Sequence, residues 1–196
     1  MPKLILLRHL KSQWNKENRF TGWTDIPLSK EGIKSAKETA MKLTGRPIDK
    51  VYTSPLFRNK ETVALILDNL DKKDLPLVID KALDERNYGK LQGLNKDEAK
   101  KEFGEEQVRL WRRSWDIAPP EGESLQDVFQ RTTPFFKNRI EADLKEGKNV
   151  LVVASHNSLR AIVKYIEKIS DKDIIDFEIP FAGLLEYDFQ NGIYKK

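Results

Sequence analysis

The chain contains no cysteine, and only two of its 196 residues are histidine. The first absence excludes disulfides, thiolate chemistry and most zinc sites, and it suits a reducing compartment. No apolar run approaches bilayer-spanning length, and Leu4 to Leu7 is too short for the core of a signal peptide. An excess of one charge is also missing. The 35 basic and 31 acidic residues leave a net charge of +4, and the longest basic clusters are pairs, unlike the runs or stripes of a nucleic-acid-binding surface. These bounds predict a soluble, cytoplasmic protein with no nucleic-acid or membrane partner, whose mild basic excess fits a small anionic ligand. With 39% apolar residues, the expectation is one domain over 1–196, and the oligomeric state is left open, a homo-oligomer included.

What is present alternates between two periodicities. The runs "KLILL" (3–7) and "NVLVVA" (149–154) are continuous apolar segments suited to strands buried on both faces; "KVYT" (50–53), "LVI" (77–79) and "LLEYDF" (184–189) are weaker strand candidates. Between them lie helical patterns. Ile33, Ala36, Ala40 and Leu43 recur at threes and fours behind a capping Ser29, and Gly45 and Pro47 close the segment. Ser54-Pro55 reads as an N-cap with proline at the first helical position. Leu125, Val128, Phe129, Phe136, Ile140 and Leu144 mark a long helix bent at Pro134. Asn157-Ser158 suits the cap of a last helix that buries Ile162, Val163 and Ile166, and "IAPPEGE" (117–123) is a loop. Strands alternating with helices define an α/β fold.

Both histidines fall at strand ends. "LILL" runs into Arg8-His9, and "VLVVA" runs into Ser155-His156-Asn157 and a helix start. In open α/β sheets ligands sit beyond the carboxyl ends of the strands, near helix N-termini that favour anions. If the two strands are neighbours, both imidazoles face one crevice. An imidazole is a good nucleophile at neutral pH, and with a phosphoryl group it forms a phosphohistidine when cations hold the phosphate oxygens. Arg8 is adjacent, and Arg58 follows Ser54-Pro55; the guanidinium fork matches phosphate oxygens. Glu85, in "ERNYGKLQGLNK" (85–96) with Tyr88 and Lys96, is a candidate general acid or base. Arg112 and Arg113, in "WRRSW", suit a second anionic group. These five cations face one carboxylate, with Lys11 a sixth candidate.

The segments "LLRHLKSQWNKENRFTGWTDIPLSKEG", "TSPLFRNKET", "LDERNYGKLQGLNKDEA", "LWRRSWDIAPPEGESL" and "SHNSLRAIVKYIE" resemble the cofactor-dependent phosphoglycerate mutases of the histidine phosphatase superfamily, in order and over nearly the whole chain. The resemblance implies a mostly parallel central sheet flanked by helices on both faces, with a helical insertion near 95–140. It implies His9 as the phosphorylated nucleophile, Glu85 as the acid/base, and Arg8, Arg58 and His156 around the transferring phosphoryl group. Asn15, Thr21, Gly22, Tyr88, Lys96, Arg112, Arg113 and Asn157 would contact the substrate. The implied reaction is the glycolytic and gluconeogenic interconversion of 2- and 3-phosphoglycerate, primed by 2,3-bisphosphoglycerate and needing no metal.

Several positions depart from the family pattern. Leu10 and Lys11 replace a glycine and an acid or glutamine after the nucleophilic histidine. Ser155-His156-Asn157-Ser158 replaces His-Gly-Asn-Ser, and Phe181-Ala182 replaces Thr-Gly. Two other readings therefore stand beside the mutase: a phosphomonoester phosphatase of the same superfamily, and a catalytically impaired phospho-ligand binder. His156 stands one place later than the pattern, and strand alternation would turn it away unless the strand end or a bulge restores it.

Overall fold

Continuous apolar runs need cover on both faces, and the computed structural model, which describes residues 1–196, provides it with one six-stranded sheet. The strands are β1 (Lys3–Arg8), β2 (Lys50–Thr53), β3 (Leu77–Ile79), β4 (Val150–Ala154), β5 (Leu184–Gln190) and β6 (Ile193–Lys195), in the order β3-β2-β4-β1-β5-β6. The β3–β2, β2–β4 and β4–β1 pairs are parallel, whereas β5 runs antiparallel to both β1 and β6. The helices are α1 (Gln13–Lys16), α2 (Lys30–Lys34), α3 (Ala36–Met41), α4 (Phe57–Asn69), α5 (Lys96–Phe103), α6 (Glu105–Arg113), α7 (Leu125–Phe135), α8 (Glu141–Lys145) and α9 (His156–Glu167).

Alternation along the central strands sorts the core into two layers. Leu4, Leu6, Val150 and Val152 meet Phe136, Ile140, Leu144, Leu159 and Ile162 on one face. Ile5, Leu7, Leu151 and Val153 meet Ala40, Leu43, Val63, Ile66 and Leu67 of α3, α4 and the turn between on the other. The sheet is thus mostly parallel and covered on both sides, as the sequence implies. α5 and α6 form the helical insertion, packed through Phe20, Leu91, Ala99 and Val108 in a cluster of their own.

Local details differ from the sequence reading in four places. The 29–45 segment is two short helices, not one: the Ser35 hydroxyl donates to the Gly32 carbonyl (2.7 Å) at the junction, an alternative to the helical ladder, and Ile33 is left exposed. The helix expected at Ser54-Pro55 begins two residues later, at Phe57; Ser54 instead accepts from the buried Asn59 amide (2.6 Å). The last helix is capped at Ser155, so His156 and not Asn157 opens it. β6 was not expected, although its turn, Asn191-Gly192, has positive φ at both residues, as a tight hairpin requires. The long helix does break near Pro134: α7 ends at Phe135, and Phe136–Ile140 widens into a π turn before α8.

Leu6 lies at the centre of the sheet, fully buried between β4 and β5. Leu6→Ala should lower the unfolding free energy by about 2–5 kcal/mol, read from the urea midpoint at constant slope. A loss below about 0.5 kcal/mol would contradict this account of the core.

Candidate active site

The β1–β4 pair carries the site. Their registers end level, Arg8 opposite Ala154, and the His9 N–H donates to the Ala154 carbonyl (3.1 Å) one step beyond the strand. The chain then leaves both strands on the same side of the sheet. His9 is buried, and its Nδ1 lies 2.6 Å from the Leu10 carbonyl. A carbonyl only accepts, so Nδ1 holds the proton and Nε2 keeps its lone pair. Leu10 costs the backbone little here: its φ is not positive, its N–H donates to Thr62 Oγ1 (3.1 Å), and its side chain joins Leu28 and Ala36 in a small cluster against which Ala182 packs.

His156 escapes the alternation problem. Ser155 ends the strand and caps α9, so the next side chain follows helical rather than strand geometry. No bulge is needed. Ser155 itself is buried and accepts from Asn59 Nδ2 (3.1 Å). Asn157, in the first turn of α9, donates from its backbone N–H (3.2 Å) and its Nδ2 (2.8 Å) to Glu85 Oε1. Arg86 N–H gives that oxygen a third bond (2.7 Å), and Oε2 takes none from the protein. The Glu85 carboxylate therefore occupies the positive end of α9. Its loop is held by a close backbone approach: Gly89 has φ +50°, and a Cβ there would sit 2.1 Å from the Pro120 carbonyl.

The cations arrive from four elements. Arg58, on the first turn of α4, is buried and donates to the carbonyls of Gly22 (2.8 Å) and Thr24 (3.2 Å). Arg8 donates to the Ile179 carbonyl (2.6 Å), stacks on the Phe181 ring at 3.8 Å and leaves its Nε without a partner. Lys96 opens α5, and Arg112 and Arg113 close α6. Burial lowers Arg8 to about 10, which leaves it charged at neutral pH, and burial also lowers Lys96.

One cavity of about 110 Å³, open at its mouth, gathers these groups. Arg8, His9, Asn15, Thr21, Gly22, Arg58, Glu85, Tyr88, Lys96, Arg112, Arg113, His156 and Asn157 all line it. Arg19, Phe20 and Glu178 line it as well, and the sequence reading missed them. Lys11 does not, so the sixth cation is Arg19. Behind the wall, Arg86 donates to Tyr88 Oη (3.1 Å) and the Arg112 carbonyl (2.6 Å), and Arg160 donates to Asn157 Oδ1 (3.0 Å). Arg86 stands inside the quoted "ERNYG" motif and Arg160 one turn beyond His156, the only sequence hints of either.

A family model for the histidine phosphatase superfamily (branch 1) matches residues 4–195. A 2,3-bisphosphoglycerate-dependent phosphoglycerate mutase of Chlamydia muridarum is 41% identical over 100% of this chain and 97% of its own. The mutase of that name from Treponema denticola is 44% identical over 97% of this chain and 88% of its own. Among solved structures, a mycobacterial glucosyl-3-phosphoglycerate phosphatase complexed with VO3 superposes with a TM-score of 0.85 at 23% identity, covering 96% of this chain and 93% of that one; it shares the fold. The chain belongs to the histidine phosphatase superfamily and, within it, to the 2,3-bisphosphoglycerate-dependent phosphoglycerate mutase family.

Both imidazoles are held well below the usual 6.5. For His9 burial acts first, then Arg58 and Arg8; for His156 burial again leads, followed by Arg8, Arg160, Arg113 and Arg86. The Glu178 carboxylate, 3.1 Å from His156 Nε2, pulls the other way, but burial and four guanidiniums outweigh it. A folded-state pKa below the unfolded one means the unfolded chain binds protons first. The stability the neutral rings contribute is therefore complete above pH 6.5 and lost on acidification, by up to about 1.4 kcal/mol per pH unit for each ring. With two histidines, ¹⁵N NMR reads each ring directly. Both should remain neutral at pH 6, and a midpoint at or above 6.5 for either ring would contradict the electrostatics.

Proposed function

We propose that the protein interconverts 2-phosphoglycerate and 3-phosphoglycerate by passing a phosphoryl group through His9. The observation that carries the reading is the meeting, in one cavity, of a neutral imidazole with its Nε2 lone pair free and six cations set against two carboxylates. A phosphoglycerate brings a phosphate and a carboxylate, and this excess of positive charge suits a ligand with two anionic groups. The unpartnered Nε of Arg8 fits a phosphoryl oxygen in the same way. When bound, 2,3-bisphosphoglycerate supplies the phosphoryl group that primes His9.

His9 Nε2 forms a bond to phosphorus while the phosphorus–oxygen bond to the glycerate breaks. The Nδ1–H bond to Leu10 supports the positive charge that develops on the ring. Arg8, Arg58 and His156 hold the non-bridging oxygens, doing electrostatically what a metal ion does in other phosphoryl-transfer sites. Glu85 Oε2 exchanges the proton: it gives one to the departing glycerate oxygen and takes one from the hydroxyl that later attacks phosphohistidine. Asn157 and Arg86 fix Glu85 through its other oxygen. Asn15, Thr21, Gly22, Tyr88, Lys96, Arg112, Arg113 and Asn157 contact the glycerate and its second anionic group. The reading places the enzyme in the cytoplasm; no helix is long and apolar enough to cross a membrane.

Phosphohistidine is labile in acid and stable in base. Protein incubated with ³²P-labelled 2,3-bisphosphoglycerate should retain label through alkali and lose it in acid, and His9→Ala should take up none. Acid-stable label, or label persisting in His9→Ala, would overturn the assignment.

A further inference from the structure

The cavity's arginines are anchored in two ways. Arg8 and Arg58 bond to main-chain carbonyls, which fix their position and leave their charge uncompensated. Arg113 instead pairs with the carboxylate of Glu178. The other oxygen of that carboxylate lies 3.1 Å from His156 Nε2. Glu178 thus sits between a guanidinium and an imidazole of the cavity wall, the kind of cradle an acidic group of a ligand would seek.

The backbone behind it is buried and bonded, whereas the side chain is half exposed. Ile179 is buried in the main core, its carbonyl receives Arg8, and its N–H lies 3.3 Å from His156 Nε2. The Glu178 side chain is 49% exposed, so it swings outward without disturbing that anchor. His156 Nε2 has two partners it cannot satisfy together: it accepts from Ile179 N–H only as a bare nitrogen, and it bonds Glu178 only as N–H. Removing the carboxylate resolves the conflict in favour of Ile179.

We infer that Glu178 is a specificity-determining residue, an internal anion that holds the Arg113 end of the cavity and competes with the second anionic group of the ligand. The inference rests on the reading of the cavity as a phosphoglycerate site. It divides ligands by chemistry. Inorganic phosphate at His9, Arg8 and Arg58 meets Glu178 only indirectly, through His156, and leaves the Arg113 pair intact. A phosphoglycerate carries a further negative group, which must displace Glu178 or bind beside it. Either route costs affinity, and a partly exposed carboxylate in water-accessible surroundings makes that cost on the order of threefold to tenfold.

Isothermal titration of the wild type and Glu178→Gln with 3-phosphoglycerate, and separately with inorganic phosphate, tests this. Glu178→Gln keeps the shape and removes the charge. It should bind 3-phosphoglycerate about threefold to tenfold more tightly, with inorganic phosphate changed less than twofold, and the gain should shrink in 0.5 M salt. In turnover the change should appear in KM more than in kcat, and the His156 ring ¹⁵N shifts of the free protein should move. Glu178→Ala, with its fold checked by circular dichroism, should shift binding in the same direction. Equal or weaker 3-phosphoglycerate binding in both variants overturns the inference, as does an equal gain for inorganic phosphate. A wild type that binds inorganic phosphate but not 3-phosphoglycerate overturns the mutase reading and this inference with it.

Discussion

The parallel pairing of β1 with β4 is the constraint on which the site depends. It sets Arg8 opposite Ala154 and carries the ladder one bond further, through His9 N–H. The two strands therefore end at one level, and the residues that follow them meet. A register slip of one residue would exchange the two buried faces of β1 and misdirect both Arg8 and His9. Every other group in the cavity comes to a place these two strands have already defined. Glu85 docks on the first turn of α9 because that turn offers free N–H groups, and Arg58 reaches in because Gly22 and Thr24 turn their carbonyls toward it.

Burying guanidiniums costs free energy, and the way they are bonded indicates what the cost serves. Arg8, Arg58, Arg86 and Arg160 are all largely buried, and each donates to at least one main-chain carbonyl: Ile179, Gly22 and Thr24, Arg112, and Ile174 respectively. A carbonyl satisfies the hydrogen bond without cancelling the charge. A carboxylate partner would cancel that charge and leave less field for an anion. The same field, with burial, keeps His9 deprotonated at neutral pH, so the device that attracts the phosphate also keeps the nucleophile ready.

Much of this was legible in the residues and some was not. The continuous runs gave β1 and β4 because burial on both faces leaves no alternation to misread. The short weak strands β2 and β3 also appeared where their β-branched and aromatic residues suggested. Helix starts were read less well. Asn157 has the chemistry of a cap, but its side chain is used for a tertiary bond to Glu85 that no local rule anticipates, and Ser54 accepts from the nearby Leu56 N–H and Asn59 amide without opening the helix. His156 could be placed only once Ser155 was seen to end the strand. Phe181-Ala182 looked like a loss, yet Phe181 covers the Arg8 guanidinium and lies 5.8 Å from the His9 ring, and Ala182 accepts a φ of +56° beside the Leu10 cluster. Arg19 and Glu178 are single charged residues that form no pattern with their neighbours; only the folded chain brings them to the cavity.

The central claim is that this geometry returns the phosphoryl group to glycerate. Phosphorus NMR of the protein with 3-phosphoglycerate and a trace of 2,3-bisphosphoglycerate reads the outcome in one tube. The account predicts the growth of 2-phosphoglycerate to a constant ratio with 3-phosphoglycerate, with inorganic phosphate a minor product. Inorganic phosphate as the main product, or an unchanged spectrum from folded protein, would contradict it.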